Sequence, residues 1–414
     1  MTAIRPLHYF RSGSFLYDRR FALLAWFGLS IFAVLRVVAR NEINIYVLYR
    51  YVIQNMHDEK NLYLFYPQLY DDQYMYGPAF AVLMLPFSWL PDKIGAVCWV
   101  LLNVTALFAA IRKLPIPAKW QYAMLIFCSH ELMNASSWLQ INALICACII
   151  FGFSYIHEGK EGRALFFIMT ATFFKIYGIV GFAFFFFSRR KLAFIGWAAL
   201  WSVVLFVSPL ILISWPYLLQ CYRDWGTAIR LKELKNVNLN IGNLYQDISV
   251  MGMIRRIFGL RFDSLWVMAP AALLFLSQYA PFRYWSDVRY RLYLLCSLLL
   301  FTVIYSSGAE SPTYIIALPG ICIWYLLQPR NKWTTAYFVF ALFLTTFSYS
   351  DLFTPWLRVH VLRPYSLKAL PSTITWFIIL VQIHRRQFLR ARMPFADESK
   401  APIVVPAPVA QPHP

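Results

Sequence analysis

The sequence predicts an all-α polytopic integral membrane protein, a bundle of about 10–12 transmembrane helices with outer-face loops and juxtamembrane helices. Three observations lead there. Of 414 residues, 60% are hydrophobic, 19% aromatic and only 14% charged, a composition foreign to a soluble core. Apolar stretches that cross or nearly cross a bilayer recur along most of the chain, separated by short polar intervals. Lys and Arg gather at the ends of those stretches.

In chain order, residues 1–20 form a basic N-terminus. The stretch 21–39 has no small-residue cleavage site after it, so it is expected to remain as a span rather than act as a cleaved signal. An outer loop of about 40–75 follows, then 76–90, which is short for a crossing. Spans are predicted at 95–111, 120–137 and 141–156. The next apolar stretch, 164–187, is interrupted at Lys175-Ile-Tyr177-Gly178. A span at 192–213 leads to a second outer loop of about 215–262, whose stretch from Asn243 to Phe258 is amphipathic. Spans at 264–280, 289–305, 313–328, 334–348 and 372–384 complete a membrane domain over 21–384. Residues 385–414 begin basic and end, from about 397, in a Pro/Ala-rich tail that cannot build a packed element.

A net charge of +19 raises nucleic acid as a partner, but the distribution of that charge excludes it. Arg5, Arg11, Arg19 and Arg20 precede the first span; Arg189, Arg190 and Lys191 follow the Phe-rich stretch; Arg385, Arg386, Arg390 and Arg392 follow the last span. These groups are predicted to be cytoplasmic. With 157–163 and 189–191 on one side, 164–187 must enter and return as two short helices with Lys175 near the outer side. Glu310 and the loop 349–371 then also fall outside. Earlier in the chain the count conflicts: either 76–90 is re-entrant, or Arg112, Lys113 and Lys119 break the rule. Seven cysteines lie mostly in apolar stretches, so no disulfide framework is expected. Cys146-Ala-Cys148 lacks redox or zinc spacing, and neither a metal nor a cofactor is predicted.

The residues suited to chemistry concentrate on the predicted outer face. Glu42 stands just past the first span, where a lipid-borne substrate would present its headgroup, and Asp71 and Asp72 supply further carboxylates. Lys175 is a cation at membrane depth, which costs roughly 2.5–3.5 kcal/mol on insertion scales and marks a functional position. A transferase acting on a polyprenyl-phosphate sugar needs such a pair: a carboxylate to take the acceptor's proton and cations or amides at the phosphate. Gln140 and Asn142 could bind sugar hydroxyls or serve a helix start, and Tyr63, Tyr66, Tyr70, Tyr74 and Tyr76 could stack on sugars or form an interfacial belt. A transporter or lipid flippase is the alternative, because broken helices also bind ions and substrates; no inverted repeat accompanies it. A non-catalytic scaffold is a third.

Taken in order, several short motifs resemble glycosyltransferase family 87, polytopic GT-C enzymes that include polyprenol-phosphate-mannose-dependent mannosyltransferases. They are Glu42-Ile-Asn-Ile-Tyr46, Asn61-Leu-Tyr63, Tyr76-Gly77-Pro78, Leu90-Pro91, Leu139-Gln140-Ile-Asn142, Lys175-Ile-Tyr177-Gly178, an Asn-rich loop from Asn243 with Arg255 or Arg256 downstream, and Ser311-Pro312. Glu42 replaces the family's aspartate, Gly77 and Gly178 replace prolines, and Leu139 replaces a glycine. The resemblance implies a GT-C-like bundle with Glu42 as catalytic base. It also implies Tyr46, Tyr63, Asp71, Asp72, Gln140, Asn142, Lys175, Tyr177, Asn243, Arg255 and Glu310 as substrate-binding residues. The partners implied are a polyprenyl-phosphate sugar donor, mannose-like by family, a lipid or glycan acceptor, and membrane lipids, with activity at the non-cytoplasmic face of a bacterial inner membrane.

Overall fold

The computed structural model describes residues 13–239, 245–350 and 353–392. Asn243, Arg5, Arg11 and the Pro/Ala-rich tail lie outside them. The described residues contain helices and no strand. In order these are α1 (Arg19–Ala39), α2 (Asn44–His57), α3 (Ala79–Ser88), α4 (Asp92–Lys113), α5 (Ala118–Ser137), α6 (Asn142–His157) and α7 (Glu161–Phe174). A 3₁₀ arm, Ile176–Phe187, leads to α8 (Lys191–Val207), α9 (Trp215–Leu239), α10 (Val250–Phe258), α11 (Leu265–Ser277), α12 (Val288–Ile304), α13 (Tyr314–Leu327), α14 (Lys332–Phe347) and α15 (Ala369–His384). Each of the ten predicted spans has its helix.

Local chemistry sets the boundaries. The Asp18 carboxylate accepts from the backbone N–H groups of Arg20 and Phe21 at 2.7 and 3.0 Å and starts α1. Pro91 and Pro117 stand immediately before α4 and α5, where a missing N–H costs nothing. Ser249 caps α10 by accepting from Gly252 N–H at 3.1 Å, and Gly259 closes it at φ +65°. α12 and α13 are buried along most of their length and form the centre, with α6 against them. α8 lies at the periphery: Leu192 is 84% exposed. Among the described residues three helices, including α1 and α4, are long and apolar enough to cross a membrane unaided.

Two irregular stretches position the site. α3 has 10 residues, about 15 Å of helix, half the hydrocarbon layer. It cannot cross. Lys113 Nζ meets Glu158 at 2.5 Å, so the end of α4 shares a face with the α6–α7 turn. Both observations accord with the re-entrant option for 76–90.

The stretch 164–187 folds as the predicted hairpin, broken at Lys175 (φ −148°, ψ 120°). Its two ends meet: Ser188 Oγ donates to Glu161 at 3.1 Å, and Arg190 Nη2 donates to the Gly159 carbonyl at 2.8 Å. A Cβ on Gly178 would run into the Ala171–Thr172 backbone, and one on Gly181 into Ile168, the stepping of an antiparallel pair. The arms match in reach. Fourteen α residues rise about 21 Å, while twelve 3₁₀ residues at about 2.0 Å each rise about 24 Å.

Candidate active site

A cavity of about 620 Å³ opens at the hairpin tip, between the tip, α9, α11 and α12. Its lining includes the polar residues Asp72, Gln140, Lys175, Tyr177, Lys232, Glu233, Asp263 and Glu310 and the apolar residues Ile176, Ile179, Val180, Leu265, Met268 and Phe301. A hydrogen-bonded chain links polar members of that lining. Lys175 Nζ donates to Asn142 Oδ1 at 2.9 Å, Asn142 Nδ2 to Gln140 Oε1 at 2.6 Å, and Gln140 Nε2 to Glu310 Oε2 at 2.8 Å. Lys232 Nζ lies 3.4 Å from Glu310 Oε1. Two cations and one fully engaged carboxylate thus face one space.

Each member is held from behind. The Lys175 ammonium sits 4.6 Å from the Tyr177 ring and 5.9 Å from the Tyr76 ring. Tyr177 OH accepts from Ser306 Oγ at 2.9 Å. Leu139 adopts φ +54°, a conformation glycine takes freely and leucine only at a cost of roughly 1–2 kcal/mol, which accounts for the family's glycine at that motif position. The Trp99 indole fixes the turn by donating to the Leu139 carbonyl at 2.8 Å. Gly77 N–H donates to the Phe174 carbonyl at 3.1 Å, and a Cβ on Gly77 would strike the Phe173 carbonyl. Both glycines that replace family prolines therefore touch the same hairpin tip, where the backbones approach more closely than proline allows.

Electrostatics separate Glu310 from Asp72, two of the carboxylates that line the cavity along with Glu233 and Asp263. Burial works to raise Glu310, but Lys232, Lys175 and the Gln140 amide outweigh it and hold the carboxyl below its ordinary range. Asp72 borders the cavity and is exposed. Desolvation by the atoms around it raises its carboxyl; the Gln73 N–H opposes the shift, Glu310 adds to it and Lys232 opposes it.

Behind Glu310 lies a second network. Lys368 Nζ bonds Glu131 at 2.9 and 3.1 Å and Ser311 Oγ at 2.9 Å, all buried, and Asn134 Nδ2 joins Glu131 at 3.1 Å and Ser311 at 3.2 Å. It locks the turn that carries Glu310. An acid within the span 120–137 was a readable signal for it.

The remaining expected residues stand elsewhere. Glu42 is exposed in the turn between α1 and α2 and is not among the cavity-lining residues. Asn44 Oδ1 accepts from Asp71 N–H at 2.9 Å, so that turn abuts the segment carrying Asp72. Tyr46 and Tyr63 are buried and donate to the carbonyls of Phe87 and Tyr76, both at 3.0 Å. Arg255 is also buried, with Nη1 2.8 Å from Asp247 and Nη2 bonded to Ser264 at 2.8 Å. These three residues brace the walls. Lys232 and Glu233 are site residues that sequence reasoning missed. With Trp225 and Ile229 they repeat along one face of α9, a helical spacing visible in the sequence, although nothing there says which face meets the cavity.

A family model for glycosyltransferase family 87 matches residues 74–307. The chain belongs to glycosyltransferase family 87. It is accordingly a membrane glycosyltransferase, and the transporter reading falls away. The matched stretch contains Gln140, Asn142, Lys175, Tyr177 and Lys232; Glu42, Asp72 and Glu310 flank it. No curated protein matches the chain.

Proposed function

We propose that the protein transfers a hexose, mannose-like by family resemblance, from a polyprenyl-phosphate donor to a hydroxyl of a lipid or glycan acceptor at the non-cytoplasmic membrane face. The observation that carries this is the cavity's mixed lining, with Lys175 and Lys232 among its polar residues and apolar residues in the same lining. Such a space suits a phosphate joined to a long hydrocarbon. The donor phosphate lies against the two ammonium groups, where a cation in a confined site acts more strongly than in bulk water. Gln140 and Asn142 bind sugar hydroxyls. The acceptor oxygen attacks the sugar's anomeric carbon and the bond from that carbon to the phosphate oxygen breaks. Polyprenyl phosphate leaves with its charge neutralised by the lysines. The acceptor's proton passes to Asp72, a carboxylate that borders the cavity with no lysine in direct contact.

Glu42 is the second reading for the base, favoured by the Asn44 contact that joins its turn to Asp71. Transfer assays in proteoliposomes test both levels. Label should pass from a polyprenyl-phosphate hexose and not from a nucleotide sugar; direct use of the nucleotide sugar would overturn the donor assignment. Asp72→Asn should lower turnover roughly 10²–10⁴-fold with donor binding retained, while Glu42→Gln stays near normal. The reverse pattern makes Glu42 the base, and retention by both variants rejects a carboxylate base on this loop.

A further inference from the structure

At the opposite end of the molecule, a groove of about 510 Å³ lies between the starts of α7 and α8, away from every residue of the proposed reaction. Lys160, Arg163, Arg190, Phe166, Trp197 and Trp201 line it. Its floor is Gly162. The Trp201 indole donates to the Gly162 carbonyl at 3.0 Å, and the Trp197 ring packs where a Gly162 Cβ would point. The aromatic floor is therefore anchored to backbone.

Cations outnumber acids around it. Glu158 is shared by Lys113 at 2.5 Å and Lys160 at 2.7 Å. Glu161 is buried, bonded to Ser188 Oγ at 3.1 Å, with Arg190 Nε at 3.6 Å. Arg163 is exposed, and no carboxylate pairs with it among the described residues. Arg189 and Lys191 flank Arg190 and add charge. Beyond this rim α8 turns Leu192, Ile195 and Leu200 outward. Positive charge at the membrane edge with an apolar wall beneath it is the complement of an anionic amphiphile.

We propose that this groove binds an anionic phospholipid, with its phosphate against Lys160, Arg163 and Arg190 and its acyl chains along Trp197, Trp201 and the outward face of α8. Native mass spectrometry of the full chain released from detergent micelles tests this, using phosphatidylglycerol, phosphatidylcholine with the same acyl chains, and inorganic phosphate as probes. The chain should retain phosphatidylglycerol, lose phosphatidylcholine, and keep its lipid when phosphate is added. The double variant Lys160→Gln/Arg163→Gln removes two exposed cations and should bind about 30-fold more weakly. Arg330→Gln/Lys332→Gln, at another basic turn, should bind as the unmodified chain does. Trp197→Ala should weaken retention while leaving the headgroup preference in place. Equal loss in the two double variants would mean diffuse attraction and overturn the site, as would equal retention of both lipids or displacement by phosphate.

Discussion

Asp72 and Lys175 carry the residue-scale expectations. A general base works only when ionised, so if Asp72 takes the proton, kcat/KM must fall as pH drops through its carboxyl. Desolvation by the atoms around it raises that carboxyl, so the acid limb should lie above the ordinary aspartate range of about 4. A pH–rate profile checks this, and a limb at or below the ordinary range would argue against Asp72. For Lys175, the proposed phosphate contact needs charge, whereas the bond to Asn142 needs only a donor. Lys175→Arg should keep much of the donor affinity and Lys175→Ala should lose it. Donor titration of both variants, with melting temperature as a control, separates this from packing, which would affect the two alike.

At the scale of elements, the hairpin Glu161–Phe187 decides where Lys175 sits. Its close approach rests on glycine. A Cβ on Gly178 would meet backbone, which cannot rotate away, whereas one on Gly28 in α1 would touch only Leu24 Cδ1 at 3.7 Å. Gly178→Ala is expected to destabilise by about 1–3 kcal/mol or to pry the arms apart. Gly28→Ala should be neutral or slightly stabilising, since alanine suits a helix interior. Thermal unfolding in detergent compares them, and donor affinity should fall with Gly178→Ala alone. Equal stability of the two would show that the hairpin tolerates separation.

For the whole molecule, the connections imply two faces. Glu42, Lys175 and Glu310 lie toward one, and Lys160, Arg190 and Arg289 toward the other; Arg291 Nη2 ties α12 to the hairpin's end through the Phe187 carbonyl at 3.2 Å. Single cysteines introduced at positions 42 and 310 should label from outside intact cells, and one at 160 should not. The native thiols interfere little, since all but the half-buried Cys98 are buried. Labelling of position 160 from outside would invert the proposed orientation.

What the sequence determined by itself was the membrane-scale plan. Hydropathy, basic clusters and the break at Lys175 are properties of consecutive residues, because a bilayer acts on each segment alone. The helix at each of the ten predicted stretches and the hairpin were legible for that reason. So was part of the site: Gln140, Asn142 and Lys175 lie in motifs and do meet. Only tertiary structure decided the rest. Lys232 joins Glu310 across 78 positions and Lys368 joins Glu131 across 237, pairings that hydropathy along one segment cannot encode. The same limit applies to Asp72 and Glu42, neighbours on one predicted loop. Both are exposed, yet one borders the cavity and the other does not, because the folding of α2 and α3 against the bundle, rather than position in the chain, sets which carboxylate reaches it.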